Sequence, residues 1–379
     1  MKFKKRNFGI LSDGSKAHLY EVSNGKLSFC ASDYGCALIS LFVPALENSQ
    51  EVKKDIVLGL TDLSSYSRTW GSFGSIIGRF SNRINGASFT LDGKKYPLTE
   101  NIDGSCLHGG FPRWENEIWK ARFIKSGEGK GIRFSKTFPE GYQGFPGKLK
   151  VTAEYILKET TLSFIFKAVS DKRTPVSITN HTYFNLTGDF SDIRNEKLRL
   201  NCSKYLSSDE KHNVNGRFLE VKGTPFDFTE LRTIGENFPE NGYDTSFVTE
   251  AFRDSGGAAQ TAEGKTPMSG KCEQAGKAGI NSSALPSRET PLVELGTLID
   301  EKTKIRMDVK TNLECVQLYT ANYVKGVFGK KGAVYKPFSA VCLETQNFPD
   351  SPNQPNFPSC ILEPEKELYE RTDFTFSLL

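Results

Sequence analysis

Two short segments of the chain combine residue types that could move protons. His181 lies in Ile178-Thr179-Asn180-His181-Thr182-Tyr183-Phe184-Asn185-Leu186, the end of a strand-like run in which polar and aromatic residues alternate. Such a run can aim imidazole, hydroxyl and amide into a cleft while the aromatics hold the backbone rigid. Glu344 stands in Ala340-Val341-Cys342-Leu343-Glu344-Thr345-Gln346-Asn347-Phe348-Pro349-Asp350, where an apolar run delivers a carboxylate just before a Pro-containing loop. A carboxylate at the mouth of a buried strand tends to a raised pKa, which suits a general base. Each has a plainer reading: taken alone, His181 fits a satisfied core histidine better than a catalyst, and Glu344 fits a cap on a sheet edge. His108 follows Cys106-Leu107 and precedes Gly109-Gly110, where paired glycines let the backbone turn sharply beside a ligand; a simple turn would look the same. His18 and His212 complete the four histidines.

Other chemistries leave no trace in the sequence. There is no G-x-S-x-G elbow, phosphate loop, H-E-x-x-H or dinucleotide fingerprint. The eight cysteines form no C-x-x-C pair, so reduced, mostly buried thiols are expected instead of a disulfide framework or zinc knuckle. A formal charge of +4 over 379 residues is too dilute for the basic field that nucleic acid or an anionic membrane demands. With no apolar stretch of membrane-spanning length and a polar N-terminal segment, the chain reads as soluble and cytoplasmic.

The elements that must position these residues read as strands. Thirty-four glycines and seventeen prolines interrupt helical periodicity, whereas period-2 runs recur, as in Leu162–Ala168, Val151–Leu157 and Lys304–Val309, each expected to bury one face. Asp92-Gly93 between Ala87–Leu91 and Lys94–Leu98 predicts a type I′ hairpin. From Phe252 to Arg288 the chain turns small, polar and rich in Gly, Ala, Ser and Lys, which predicts a mobile surface insertion within one domain spanning 1–379.

Taken together, several segments resemble the aldose 1-epimerase (galactose mutarotase) family. They are Ile77-Gly78-Arg79-Phe80-Ser81-Asn82-Arg83-Ile84, the Leu91–Lys94 hairpin, Leu107-His108-Gly109-Gly110, Asn180–Leu186, Gly242-Tyr243-Asp244, Val316-Gln317-Leu318-Tyr319-Thr320 and Leu343–Asp350, in the family's order across more than three hundred residues. The resemblance implies an all-β fold, a large twisted β-supersandwich, whose concave face holds one aldose ring and needs no metal, nucleotide or other cofactor. It implies His181 as general acid and Glu344 as general base. Asn82, Arg83, His108, Asp244 and Gln317 match positions that hold the sugar, Thr182, Tyr183 and Phe184 would line the pocket, and Arg79 would brace it. The partner is then a small aldose, with neither nucleic acid nor membrane, bound by a monomer or weak homodimer.

Mutarotation needs the anomeric hydroxyl to lose a proton while the ring oxygen gains one, so acid and base are expected on opposite sides of one C–O bond. The ordinary values of histidine (~6.5) and glutamate (~4.3) would leave one of each at neutrality. Two departures from the family pattern stand out. Thr245-Ser246 follow Asp244 in place of His-Asn, and Phe111-Pro112-Arg113-Trp114-Glu115-Asn116 replace a Gly-Phe-Asp-Lys turn. Both are expected at the pocket's rim, where they would alter substrate preference. A hexose-phosphate mutarotase, which should carry an Arg or Lys cluster, and a sugar binder without catalysis are the competing readings.

Overall fold

The computed structural model describes residues 2–254 and 285–379. Antiparallel strands dominate, as the alternation predicts. A five-stranded meander runs in chain order through Lys2–Ile10, Lys16–Ser23, Ser28–Ser32, Leu38–Glu47 and Gln50–Asp55. A nine-stranded sheet carries the long hairpins Lys120–Ser126, Gly129–Phe138, Leu149–Lys158 and Thr161–Ser170 on one side. The C-terminal strand Leu368–Leu378 is inserted between Thr161–Ser170 and Ile305–Thr311, so the chain's end stitches the two halves of that sheet together. A third sheet orders Val214–Glu220, Lys204–Ser208, Asp244–Val248, Cys315–Tyr319 and Cys342–Gln346.

All three sheets turn apolar side chains into one continuous core: Val22, Phe29 and Leu41 from the first, Tyr155, Phe164 and Phe374 from the second, Phe247, Val316 and Leu318 from the third. Each such side chain contributes roughly 1.5–3 kcal/mol by leaving water. The expectation that each strand buries a single face fails at the centre of the large sheet. Ile156 and Ile165 on its other face are also buried; Ile165 sits in a cross-strand row with Glu154 and Arg371. The predicted hairpin is present: Ser88–Leu91 pairs with Lys94–Pro97, and Asp92 and Gly93 have φ of 52° and 75°, the doubly positive geometry of a type I′ turn.

The predicted insertion lies mostly outside the described residues, but its edges are corrected. Phe252 belongs to the helix Glu250–Asp254 and is buried with Phe218, Phe348 and Phe357; Leu285 packs on the main core. The seven described cysteines are all buried, and Cys272 is outside the described residues. Among the described residues no helix is long and apolar enough to cross a membrane.

Candidate active site

A cleft of about 470 Å³ opens over the third sheet. Its floor follows from strand alternation. Ser246 pairs with Gln317, Gln317 with Glu344, and Asp244 with Tyr319, so these side chains share one face of three adjacent strands. The residues between them, Phe247, Val316, Leu318 and Leu343, point the other way into the core. Packing of that apolar face therefore fixes which face carries the polar row.

His181 follows the short strand Thr179–Asn180, and its backbone is pinned on both sides: its N–H donates to Ser75 O (2.9 Å) and its carbonyl accepts from Gly74 N (2.8 Å). Its ring stacks on Tyr183 at 4.8 Å, Tyr183 stacks on Phe73 at 4.6 Å, and the Tyr183 hydroxyl donates to Gly71 O (2.7 Å). This pile turns Nε2 toward Glu344 Oε1, 3.6 Å away. The pair stands side by side at the buried end of the cleft. It does not flank an open space from two sides, which corrects the opposed arrangement expected from the chemistry.

Burial also corrects the expectation of ordinary pKa values. Loss of water pushes the His181 imidazole down to about 3, with the Arg113 charge adding to the effect and a backbone hydrogen bond opposing it. The Glu344 carboxyl is held well above the usual range by burial and then by the Asp244 charge. The two shifts oppose one another: burial favours the neutral imidazole and the neutral, protonated carboxyl. One proton on two adjacent groups is what a bifunctional acid–base exchange requires.

Around this pair the polar groups are already aimed. Gln317 Nε2 donates to Asp244 Oδ1 (2.6 Å), and its Oε1 accepts from Asn82 Nδ2 (3.1 Å) and from Ser246 Oγ. Asn82 Oδ1 accepts from Arg83 N (2.8 Å), so Asn82 acts on its neighbours. The Asn82 N–H donates to His108 Nδ1 (3.2 Å), which puts the His108 proton on Nε2. Burial and then the neighbouring His181, Arg113 and Arg83 keep His108 well below its ordinary value, a neutral donor. Arg83 is buried and its Nη1 has no hydrogen-bond partner, an arrangement a ligand oxygen would satisfy. Asp244 is raised by burial, with His212 and Arg83 pulling it back.

Of the ten residues the sequence put at the site, all but Thr182 and Phe184 line the cleft. Alternation explains the exceptions. His181 and Tyr183 face the cleft, while Thr182 turns back to Asn180 Oδ1 and Phe184 enters the core against Phe374. Arg79 is fully buried and braces the loop behind, donating from Nη1 to Pro146 O (2.6 Å) and Gly147 O (3.0 Å). Ser246 is in the floor and not at the rim. The 111–116 segment divides: Phe111 and Arg113 reach the mouth, whereas Trp114 stacks on Phe138 in the core (4.4 Å).

Sequence reading counted His212 among four candidate histidines without placing it at the site, where its Nδ1 stands 3.9 Å from Asp244 Oδ2, and missed Tyr323, whose hydroxyl contacts His212 Nε2 (3.2 Å). Both sit in irregular segments with no periodic pattern to aim them. His181, Cys342 and Glu344 place a nitrogen, a sulfur and an oxygen within 4.8 Å of one another, close enough to hold a cation. Burial keeps the Cys342 thiol well above its ordinary pKa, and a protonated thiol is a poor ligand.

A buried imidazole–carboxylate pair beside a row of hydroxyl-binding groups, carried on a broad antiparallel scaffold, defines an acid–base enzyme for a small polar substrate. The sequence profile for Aldose 1-epimerase matches residues 18–375. Galactose mutarotase from Homo sapiens is 32% identical over 377 residues, covering 98% of this chain and 97% of that protein. Aldose 1-epimerase from Escherichia coli K12 is 29% identical over 378 residues, covering 97% of each. Among solved structures, an aldose epimerase homologue from C. elegans superposes with a TM-score of 0.78 at 23% identity, covering 96% of this chain and 99% of that one. A galactose 1-epimerase from Lactobacillus acidophilus gives 0.76 at 22%, covering 100% and 99%. The chain belongs to the aldose 1-epimerase family.

Proposed function

We propose that the protein interconverts the α and β anomers of a free hexose such as galactose or glucose, with His181 as general acid and Glu344 as general base. The carrying observation is the His181 Nε2–Glu344 Oε1 approach of 3.6 Å, because the two oxygens to be served share one anomeric carbon. Once the pair's proton has passed from the Glu344 carboxyl to the His181 imidazole, Glu344 takes the proton from the anomeric hydroxyl, the C1–O5 bond breaks as the carbonyl forms, and His181 gives its proton to the ring oxygen. The open-chain aldehyde turns about C1–C2. Reclosure runs the transfers backwards: O5 returns its proton to His181, and the new anomeric oxygen recovers one from Glu344. The enzyme ends with the single proton it began with.

Binding energy comes from floor and wall together. Asp244 accepts from ring hydroxyls, Arg83 Nη1 and His108 Nε2 donate to others, and the Gln317 amide, fixed by Asp244, Asn82 and Ser246, holds the acceptor in place. These are the few aimed polar contacts of a small-molecule pocket. Arg83 and Arg113 each already face a carboxylate, Asp244 and Glu115 respectively, which favours a neutral sugar over its phosphate. The test is polarimetry of freshly dissolved α-D-galactose and α-D-glucose with the purified protein. Faster decay to the equilibrium rotation supports the reading, and decay at the buffer's own rate for both sugars overturns it.

A further inference from the structure

Cys342 takes no part in the proton transfers, yet its sulfur touches the histidine that makes one of them. In the strand Cys342–Gln346 it lies two residues before Glu344, so both side chains leave the strand on the same face. The His181 ring lies across the two. Its Nε2 faces Glu344 Oε1 and its Nδ1 faces Cys342 Sγ, each at 3.6 Å. All three residues are buried.

A neutral imidazole carries one proton, and the partner of one nitrogen decides which atom holds it. Burial favours neutral His181 beside a protonated Glu344 carboxyl. To take that proton, Nε2 must present its lone pair, so the ring's own proton belongs on Nδ1. There the Cys342 sulfur stands within hydrogen-bond reach. The carbonyl of His181, which the ring also reaches, already accepts from Gly74 N (2.8 Å). Tyr183 occupies the ring's face at 4.8 Å, and His108 and Tyr319 stand edge-on with centroids 5.7 and 6.0 Å away.

Sulfur suits this place. Burial holds the Cys342 thiol well above its ordinary pKa, so it meets the ring as a neutral, weak acceptor. A carboxylate there would also keep the proton on Nδ1, but it would favour the imidazolium and make His181 a weaker acid toward the sugar's ring oxygen.

We propose that Cys342 is a positioning residue: its sulfur accepts the His181 Nδ1 proton and so fixes the tautomer that leaves Nε2 open to the proton of Glu344. The inference rests on the roles proposed above for His181 and Glu344.

The experiment reads the tautomer directly, by nitrogen-15 NMR of histidine-labelled protein without sugar. The wild type, Cys342→Ala and Cys342→Ser are compared, and the His181→Asn spectrum identifies the His181 signals among those of the four histidines. In the wild type Nδ1 should be protonated and Nε2 bare. Cys342→Ala should show both tautomers, and Cys342→Ser, which keeps an acceptor in a smaller side chain, should fall between. By polarimetry, Cys342→Ala should lower kcat about 3- to 10-fold, the size of one neutral hydrogen bond, with KM within about twofold. A bare Nδ1 in the wild type would overturn the proposal, whether or not the variants fold. So would a tautomer unchanged in Cys342→Ala, a tautomer change with kcat unaltered, or a loss confined to KM. Failure of galactose and glucose to react with the wild type would overturn the proposed function instead, and the spectra would still decide whether the sulfur sets the tautomer.

Discussion

The floor and the wall of the cleft are made by different means. On the floor, Asp244, Ser246, Gln317 and Glu344 are set by the ladder of three strands, and the core side chains beneath hold that ladder in register. The wall is set one hydrogen bond at a time. Asn82, His108 and His212 all have positive φ, at 64°, 57° and 61°, a conformation that costs a non-glycine residue of order 1 kcal/mol or more and persists only where neighbours enforce it. Here Asn82 and His108 enforce each other through two contacts, Asn82 N to His108 Nδ1 and His108 N to Asn82 O. On the proposed roles, the base Glu344 and the sugar partners Asp244 and Gln317 are held by the stiff ladder, whereas the sugar partners Asn82 and His108 depend on loops that hold each other.

That contrast can be broken at three levels. The largest effect belongs to the proton-transfer pair: His181→Asn and Glu344→Gln should each lower kcat by roughly 10²–10⁴-fold with little change in KM. In the wild type His181 should give the pH profile of kcat/KM no break at the ordinary histidine value of ~6.5, because burial takes it down to about 3. The same depression means that the stability owed to neutral His181 is complete above ~6.5 and is lost as pH falls toward about 3. Near-normal turnover in either variant, or a break at ~6.5 that His181→Asn abolishes, would remove the pair from its role.

Next, Asp244→Ala should act on binding. Losing a charged acceptor costs about 1.5–3 kcal/mol, so KM should rise roughly 10- to 100-fold while kcat holds. A deoxy sugar lacking the hydroxyl that Asp244 grips should feel little of this. A uniform drop in kcat would put Asp244 with the proton-transfer pair instead of with binding. Smallest is Ser246→Ala, which frees one of the two donors to Gln317 Oε1. A neutral hydrogen bond contributes about 0.5–1.5 kcal/mol, so kcat/KM should fall only about 2- to 10-fold. A loss as large as that of Glu344→Gln would mean that the floor, too, depends on single bonds.

Much of this was legible in the sequence where period-2 alternation applies. The runs through Val151–Leu157 and Leu162–Ala168 are strands, and Gln317 and Glu344 share a face because each sits one step from an inward apolar residue. The same alternation should have rejected Thr182 and Phe184, which neighbour His181 in sequence but face away from it. Tyr323 was beyond reach, and so was the approach of His212 to Asp244, since both depend on turns that no local pattern specifies. The direction of burial was legible at Glu344 but not at His181, where desolvation outweighs every neighbouring group.

The pairing of Gln317 with both Ser246 and Glu344 ties activity to the route by which the chain folds. These strands lie far apart in sequence, and closing such long loops is slow relative to forming local hairpins. A slip of one residue in Cys315–Tyr319 would send Gln317 into the oil of the core and bring Val316 and Leu318 out. A misregistered molecule could retain most of its strand content and yet have no working centre. During refolding, recovery of ellipticity should therefore run ahead of recovery of turnover, and the interval between them would time the locking of one strand.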